Sequence, residues 1–174
     1  MKKLKKKVLY SRDEINHRVK DIARQISQDF YGKDPILVGV LNGVFIFLAD
    51  LVRNIEIPVQ VDFVRLASYG SGTESSGRIK ITKDIELAIT GKDVIIVDDI
   101  VDTGLSLNFL KNRLLQAKPS SLKICALINK RNRRKVEVNL DYVGFSLEGN
   151  FLVGYGLDCD ERFRCLPEIY EIED

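Results

Sequence analysis

The sequence predicts an α/β fold in which a mostly parallel, twisted sheet carries helices on both faces. Two segments, Ile36–Leu41 and 93–97, are largely apolar runs, each followed by a glycine-containing turn and a helical pattern. A third such run, 122–128, follows the second helix. Continuous apolar runs are typical of parallel strands that are buried on both faces. Successive strand–helix–strand units have right-handed crossovers, which place the helices over the sheet.

Before this sheet, the sequence predicts a helix that begins after Ser11. Ser11 and Glu14 have the spacing of a capping box. The apolar residues that follow recur with the helical period: Ile15, Val19, Ile22, Ala23, Ile26 and Phe30. His17, the only histidine, falls off this stripe, so we expect it to be exposed and to have no catalytic role.

An antiparallel pair around a loop is predicted between the two strand–helix units. Residues 59–65 alternate, with Val59, Val61 and Phe63 expected to face the core and Asp62 and Val64 to face outward. The Gly- and Ser-rich stretch that follows predicts a mobile loop. The apolar residues of 79–89 predict the return to the sheet.

The remaining elements are short. The Asn42-Gly43 turn leads into a helix over 44–52, and the Thr103-Gly104 turn leads into one from Leu105 to about residue 117. Short strands are expected near 142–145 and 151–153, followed by an acidic tail. Because no linker or internal repeat interrupts the chain, we expect residues 1–174 to form one domain.

Composition and charge exclude several classes of protein. The chain is 45% hydrophobic and 30% charged, which excludes intrinsic disorder. No apolar stretch approaches the ~20 residues of a membrane-spanning helix, and no secretory signal begins the chain. We therefore expect a cytoplasmic protein without a membrane partner. Three cysteines without a CxxC spacing argue against disulfides and a zinc site.

The net charge of +2 gives no reason to expect a nucleic-acid partner. The basic excess is concentrated near the N-terminus, in Lys2, Lys3, Lys5, Lys6 and Lys7. Runs of this kind are typically solvated tails. We expect the same here.

The segment VDDIVDTGLSL, which follows the second predicted strand, has the strongest functional pattern. Ligands of such sheets bind beyond the carboxyl ends of the strands. Gly104 allows close backbone approach, and the free N–H groups of the following helical turn, with the hydroxyls of Thr103 and Ser106, suit a phosphate monoester. Asp98 and Asp99 are suited to sugar hydroxyls or to Mg²⁺ bound through water. A phosphorylated sugar would suit both the phosphate-binding turn and the acidic pair.

Simpler interpretations explain less of this segment. Helix capping accounts for Asp102 but not for three acids within five positions, where like charges repel one another. An aspartyl-phosphate receiver domain would place its acidic pair after its first strand, and the Asp-Thr-Gly turn has no place in that scheme. The absence of a GxxxxGK[ST] pattern, with no lysine after the glycine, argues against a triphosphate-splitting P-loop.

This segment resembles the phosphoribosyl-pyrophosphate signature of the type I phosphoribosyltransferases, and further matches over most of the chain resemble the hypoxanthine (hypoxanthine-guanine) branch. The resemblance implies purine salvage, in which a phosphoribosyl group moves from 5-phosphoribosyl-1-pyrophosphate to N9 of hypoxanthine or guanine. It implies a core over about 34–130, a hood from about 1–10 and 131–174, and a lid over about 68–77.

The same resemblance implies residue roles. Asp98 and Asp99 would hold the ribose hydroxyls, and Asp102 would accept the purine N7 proton. The 5'-phosphate would lie on the residues Asp102, Thr103, Gly104, Leu105 and Ser106. Pyrophosphate would be bound by Leu41, Asn42 and Gly43, with a cis peptide after Leu41, and by Arg164. Many relatives have a basic residue where Asn42 stands.

For the purine and the metal, the resemblance implies a second set of residues. Lys130 would donate to the purine O6, Phe151 would stack on the base, and Leu152 would offer backbone contacts. Asp158 would bind Mg²⁺, with Asp98 and Asp99 as further possible ligands. Ser68 and Tyr69 would begin the lid. Taken singly, Lys130 in a solvated basic turn and Phe151 in a core are equally ordinary interpretations.

Two rival functions share this fold. The first is a donor-sensing regulator that binds RNA or DNA, which the N-terminal lysines and the basic run at 130–135 support. The near-neutral net charge argues against it, as does a length that leaves no room for an added DNA-binding domain. A pyrimidine phosphoribosyltransferase is disfavoured by Asp102, Lys130 and Phe151. The sequence leaves open whether guanine or xanthine is used, and whether the expected homo-oligomer is a dimer or a tetramer.

Overall fold

The computed structural model describes residues 5–69, 78–149 and 151–173. The chain forms nine strands and three helices over these ranges. In chain order they are β1 (Lys5–Tyr10), α1 (Arg12–Asp29), β2 (Ile36–Leu41), α2 (Phe45–Asn54), β3 (Gln60–Tyr69), β4 (Arg78–Lys83), β5 (Asp93–Val101), α3 (Leu105–Leu115), β6 (Ser121–Lys130), β7 (Tyr142–Leu147), β8 (Leu152–Val153) and β9 (Ile169–Glu173).

The larger sheet has six strands in the order β4-β3-β2-β5-β6-β7. All neighbouring pairs are parallel except β3 and β4, which are antiparallel. Helices α1 and α2 pack on one face and α3 on the other. Alternate residues of the central strands enter the two cores, as Ile95 and Ile96 do in β5. The predicted α/β fold with a mostly parallel sheet is confirmed.

A second sheet of three strands, in the order β1-β9-β8, joins the two ends of the chain. Its β1 and β9 are antiparallel, with Lys7 opposite Glu171 and Lys5 opposite Glu173. Lys5, Lys6 and Lys7 therefore lie in a paired strand rather than in a frayed tail, although their side chains are exposed as expected. Lys2 and Lys3 lie outside the described residues. Leu152 and Ile169 of this sheet belong to the same core as α1.

The facing of β3 differs from the alternation predicted for it. Val61 is 40% exposed, whereas Asp62 is 7% and Val64 0% exposed. The prediction assumed that one face of β3 meets water, but both faces contribute to cores. Phe63 packs against the core on the side of α1 and α2, and Val64 belongs to the core on the side of α3. The Asp62 carboxylate is satisfied there, since it accepts hydrogen bonds from the N–H groups of Glu86 and Leu87 (2.6 and 2.9 Å). Residues 85–89, which were predicted to join the antiparallel pair, are held by these bonds beyond the end of β4.

Other local predictions agree with the structure. The capping box joins Ser11 and Glu14, and the apolar stripe of α1 is buried. His17 is exposed. None of the three cysteines is in a disulfide. Within the described ranges, no helix is both long and apolar enough to cross a membrane.

Candidate active site

Strand β5 carries an acidic pair near its carboxyl end. The strand runs to Val101, beyond the predicted 93–97, so Asp98 and Asp99 lie within it rather than after it. Asp98 is 9% exposed and Asp99 is partly buried. Burial raises the pKa of both carboxyls, and the charge of Asp99 raises the pKa of Asp98 further. The protein therefore holds two carboxyls together at an energetic cost.

The β5–α3 loop, residues 102–104, and the first helical residues 105 and 106 form a small cleft beside this pair. Gly104 has a φ of +79° and precedes the first helical residue, Leu105. A cleft of about 130 Å³ is lined by Asp98, Ile100, Val101, Asp102, Thr103, Gly104, Ser106 and Leu107. Two of the lining residues, Thr103 and Ser106, carry hydroxyl groups, and the cleft lies at the N-terminus of α3. Helix N-termini with such donors bind anions.

Asp102 has two differently placed carboxylate oxygens. Its Oδ2 lies 3.5 Å from an Arg133 guanidinium nitrogen. Its Oδ1 is buried and, among the described residues, has no hydrogen-bond partner. Buried polar atoms without partners are rare in native proteins. This oxygen is therefore available to accept a proton or hydrogen bond from a ligand.

The turn after β2 approaches the acidic pair from the neighbouring strand. The peptide between Leu41 and Asn42 is cis, as expected. A Cβ atom on Gly43 would lie 1.8 Å from Asp99 Oδ2 and 3.4 Å from Arg164 Nη1. A side chain at position 43 would displace the Asp99 carboxylate. The turn, the acidic pair and Arg164 are therefore in direct proximity.

Arg164 links this turn to the segment that carries Asp158. Its guanidinium lies 2.9 Å from Asp158 Oδ1 and donates to the Gly156 carbonyl at 2.8 Å. A Cβ atom on Gly156, whose φ is +99°, would lie 2.1 Å from the carbonyl oxygen of Gly43. The 154–158 segment is thus packed on the 41–43 turn by backbone contact.

The residues expected at the purine differ in their burial. Lys130 ends β6 and is 5% exposed, so it is not part of a solvated turn. Leu152 is buried in β8, and Phe151 before it is 52% exposed. Ser68 and Tyr69 are the last residues of β3, and the rest of the expected lid, 70–77, lies outside the described residues.

No cluster of three or more His, Cys, Asp or Glu side chains suited to a metal occurs in the described part of the chain. The carboxylates at the site are Asp98, Asp99, Asp102 and Asp158. Mg²⁺ commonly uses only one or two protein carboxylates and takes its other ligands from substrate phosphates and water. This donor set fits that mode.

Sequence reasoning missed the contribution of residues 133–136. Thr103 O accepts hydrogen bonds from the N–H groups of Lys135 and Val136 (2.9 and 3.1 Å). A Cβ atom on Gly104 would lie 2.3 Å from Val136 O. The basic composition of this segment indicated a solvated surface, and no local pattern marks a backbone that packs on another loop.

Comparison with known proteins gives one consistent result. The phosphoribosyl transferase domain family matches residues 10–161. A hypoxanthine-guanine phosphoribosyltransferase of Aquifex aeolicus is 49% identical over 171 residues, covering 98% of this chain and 96% of the relative. A crystal structure of a hypoxanthine-guanine phosphoribosyltransferase from Bacillus anthracis has a TM-score of 0.92 at 45% identity, covering 98% of this chain and 100% of that one.

A hypoxanthine phosphoribosyltransferase from Staphylococcus aureus has a TM-score of 0.93 at 39% identity, over 98% of this chain and 92% of that one. Sequence and fold agree over nearly the full length in each case. The chain therefore belongs to the phosphoribosyltransferase family, in its hypoxanthine-guanine branch.

Proposed function

We propose that this enzyme transfers the 5-phosphoribosyl group of 5-phosphoribosyl-1-pyrophosphate to N9 of hypoxanthine, and also of guanine, and releases pyrophosphate. The observation that carries the proposal is the buried Asp98–Asp99 pair beside an anion-binding loop. A sugar phosphate presents hydroxyl donors to the acids and a phosphate to the loop. The names of the relatives support the same reaction.

The donor would lie across the ends of β5 and β2. Asp98 and Asp99 would accept hydrogen bonds from the ribose hydroxyls. The loop residues would bind the 5'-phosphate: Asp102, Thr103, Gly104, Leu105 and Ser106. The turn of Leu41, Asn42 and Gly43 would bind pyrophosphate through its backbone, together with the guanidinium of Arg164.

Transfer forms a bond from N9 to C1' and breaks the bond from C1' to the pyrophosphate oxygen, whose electron pair leaves with pyrophosphate. Positive charge grows on the ribose as this bond breaks. Asp102 Oδ1 would accept the N7 proton of the purine, which restores neutrality to the product base. The unpartnered state of this oxygen supports the assignment.

The purine would be selected at the end of β6. An ammonium group donates hydrogen bonds but cannot accept them, so Lys130 favours a 6-oxo group over the 6-amino group of adenine. Phe151 would stack on the base, which its exposure permits. Leu152 would contribute backbone groups. Ser68 and Tyr69 would begin the lid that closes over the site.

Mg²⁺ would be held by Asp158, with Asp98 and Asp99 as further possible ligands. When bound, it would neutralise charge that develops on the departing pyrophosphate. Residues of the enzyme would also stabilise the departing pyrophosphate. Arg164, now paired with Asp158, would reach the pyrophosphate oxygens.

Further expectations concern the whole protein. We propose that residues 1–174 act as a single domain, in which the β1-β9-β8 sheet is the hood, and that the protein is a cytoplasmic homodimer or homotetramer without nucleic-acid or membrane partners. The pairing of the basic strand β1 with the acidic strand β9 disfavours an RNA-binding role for these lysines. Size-exclusion chromatography with light scattering distinguishes a dimer or tetramer from a monomer.

The test is a base screen with purified protein, donor and Mg²⁺. Hypoxanthine, guanine, xanthine, adenine and uracil are supplied separately, and nucleotide and pyrophosphate are quantified. We expect rapid formation of inosine monophosphate and guanosine monophosphate, with little product from adenine or uracil. Equal use of adenine and hypoxanthine would refute the role of Lys130, and no product from any 6-oxopurine would refute the function. Sequence-specific retention of RNA at nanomolar concentrations would support the regulator instead.

A further inference from the structure

The turn after β6, residues 131–136, carries an arginine that the proposed roles do not use. This arginine turn packs on the β5–α3 loop through the backbone contacts of Thr103 and Gly104 described above. It also follows Lys130 directly in the chain. It therefore touches both the loop assigned to the phosphate and the strand end assigned to the purine.

The Arg134 guanidinium joins these two parts of the site. Its Nη2 donates to Asn129 Oδ1 at 2.5 Å and to the carbonyl oxygen of Lys130 at 3.3 Å, both at the end of β6. The same nitrogen lies 3.4 Å from the carbonyl oxygen of Val101, the last residue of β5. One side chain thus links the carboxyl ends of two neighbouring strands.

The other terminal nitrogen of Arg134 faces the β5–α3 loop. A Cβ atom on Gly104 would lie 3.4 Å from Nη1 and 3.2 Å from Arg134 Cδ. Nη1 is buried and has no hydrogen-bond partner among the described residues. A guanidinium is planar and rigid, so the position of Nη2 on the strand ends also fixes Nη1 beside the loop.

We propose that Arg134 is a positioning residue for phosphoribosyl transfer, which holds the β5–α3 loop and Lys130 at the separation that the reacting donor and purine require. The inference rests on the proposed function, because it assigns the donor to the loop and the purine to Lys130. Arg134 touches neither reactant in this account. It acts through Val101, Asn129 and the backbone of Lys130.

Such a role affects turnover more than binding of either substrate alone. The donor would contact the acidic pair, the β5–α3 loop, the β2 turn and Arg164, but not the end of β6. Attack by N9 requires these parts and the end of β6 in register. A displacement of about 1 Å away from the reacting centre can lower a rate by roughly 100-fold. A lysine ammonium is a compact charge on a flexible chain, so it would hold these acceptors less rigidly than the planar guanidinium does.

The test compares Arg134→Gln with Arg131→Gln, an exposed arginine of the same turn. For Arg134→Gln we expect kcat for hypoxanthine to fall by about 10- to 100-fold, while the donor Kd measured by calorimetry changes far less. For Arg131→Gln we expect both to stay at wild-type values. Thermal unfolding of each variant shows whether it remains folded.

Two further variants keep the inference testable if Arg134→Gln folds poorly. Arg134→Lys retains the charge and should recover only part of kcat. Asn129→Ala removes the acceptor at 2.5 Å, and in combination with Arg134→Gln it should lower kcat no further than Arg134→Gln alone. Additive losses in the double variant would contradict the proposed linkage.

The outcomes separate this inference from the function on which it rests. A wild-type protein that makes no nucleotide from hypoxanthine overturns the proposed function, and the role of Arg134 with it. An active wild type with an equally active Arg134→Gln overturns the role of Arg134 alone. Parallel losses of donor affinity, kcat and thermal stability would show a merely structural residue and would also overturn it.

Discussion

Replacement of Asp98 by asparagine should make the protein more stable and less active. Asp98 is 9% exposed, and its carboxyl accepts the Asp99 N–H at 3.1 Å. Asparagine keeps the size and the accepting oxygen, removes one of two adjacent charges, and can donate to the Asp99 carboxylate. Replacement of a buried ion pair by uncharged residues of similar volume is often neutral or stabilises a protein by about 1–4 kcal/mol. Two adjacent buried carboxyls lack even the attraction of such a pair. We expect a gain of about 1–3 kcal/mol at pH 7.5.

The gain should depend on pH in a defined direction. Burial and the charge of Asp99 raise the folded-state pKa of Asp98, so the folded protein holds this proton more tightly than the unfolded chain does. The stability that this group contributes is complete below its unfolded pKa of about 3.9 and is lost as the pH rises through the raised pKa. The advantage of Asp98→Asn should therefore be largest at neutral pH and shrink towards pH 4.

Asp62→Asn is a matched control, because Asp62 is about as little exposed as Asp98 but accepts several hydrogen bonds that stabilise its charged form. Burial alone would raise its pKa, but hydrogen bonds from Leu87, Glu86 and Phe63 N–H groups and from Lys83 lower it overall. Its stabilising contribution is present above the unfolded pKa and lost in acid. Urea unfolding at several pH values should show Asp62→Asn destabilised at pH 7.5. An Asp98→Asn variant no more stable than wild type at that pH would refute the reasoning.

Three further predictions follow from the site and its supports. Asp102→Asn keeps the shape of the side chain but removes its basicity, so steady-state kinetics should show kcat lowered by about 100-fold or more with donor affinity nearly retained; unchanged turnover would remove Asp102 from proton transfer. Gly156→Ala places a Cβ 2.1 Å from Gly43 O at a φ of +99°. Thermal unfolding should therefore show the free energy of unfolding lowered by about 1–3 kcal/mol, together with reduced activity, and wild-type stability would contradict the packing of the two segments. Tyr142→Phe removes a 2.6 Å hydrogen bond to Asp29, which should cost about 1–2 kcal/mol in urea unfolding without changing kcat, and an unaltered midpoint would count against that bond.

The elements predicted correctly from the sequence are those that depend on interactions between neighbouring residues. The bounds of β2 and the capping box of α1 agree with the structure because an unbroken apolar run and a Ser-x-x-Glu spacing are properties of neighbouring residues. The acidic pair and the Gly104 turn were found in the same way. The roles of single residues came from resemblance to the family rather than from pattern.

Long-range contacts account for the predictions that were wrong or missed. β1 and β9 lie at opposite ends of the chain, and no local pattern in either segment indicates that the two strands pair. Only the family resemblance implied that both ends contribute to one hood. The burial of Asp62 depends on N–H groups more than twenty residues away, which no local pattern indicates. Arg134 lies in a run of basic residues and differs from its neighbours only through contacts with the ends of two strands.

A crystal structure with 5-phosphoribosyl-1-pyrophosphate and Mg²⁺ tests the central claim most directly. The account predicts that the ribose hydroxyls contact Asp98 and Asp99, that the 5'-phosphate lies on the N–H groups of the loop at 102–106, and that pyrophosphate lies on the turn at 41–43 beside Arg164. A donor bound elsewhere on the molecule, or one bound at this edge with its phosphate away from the loop, would contradict it.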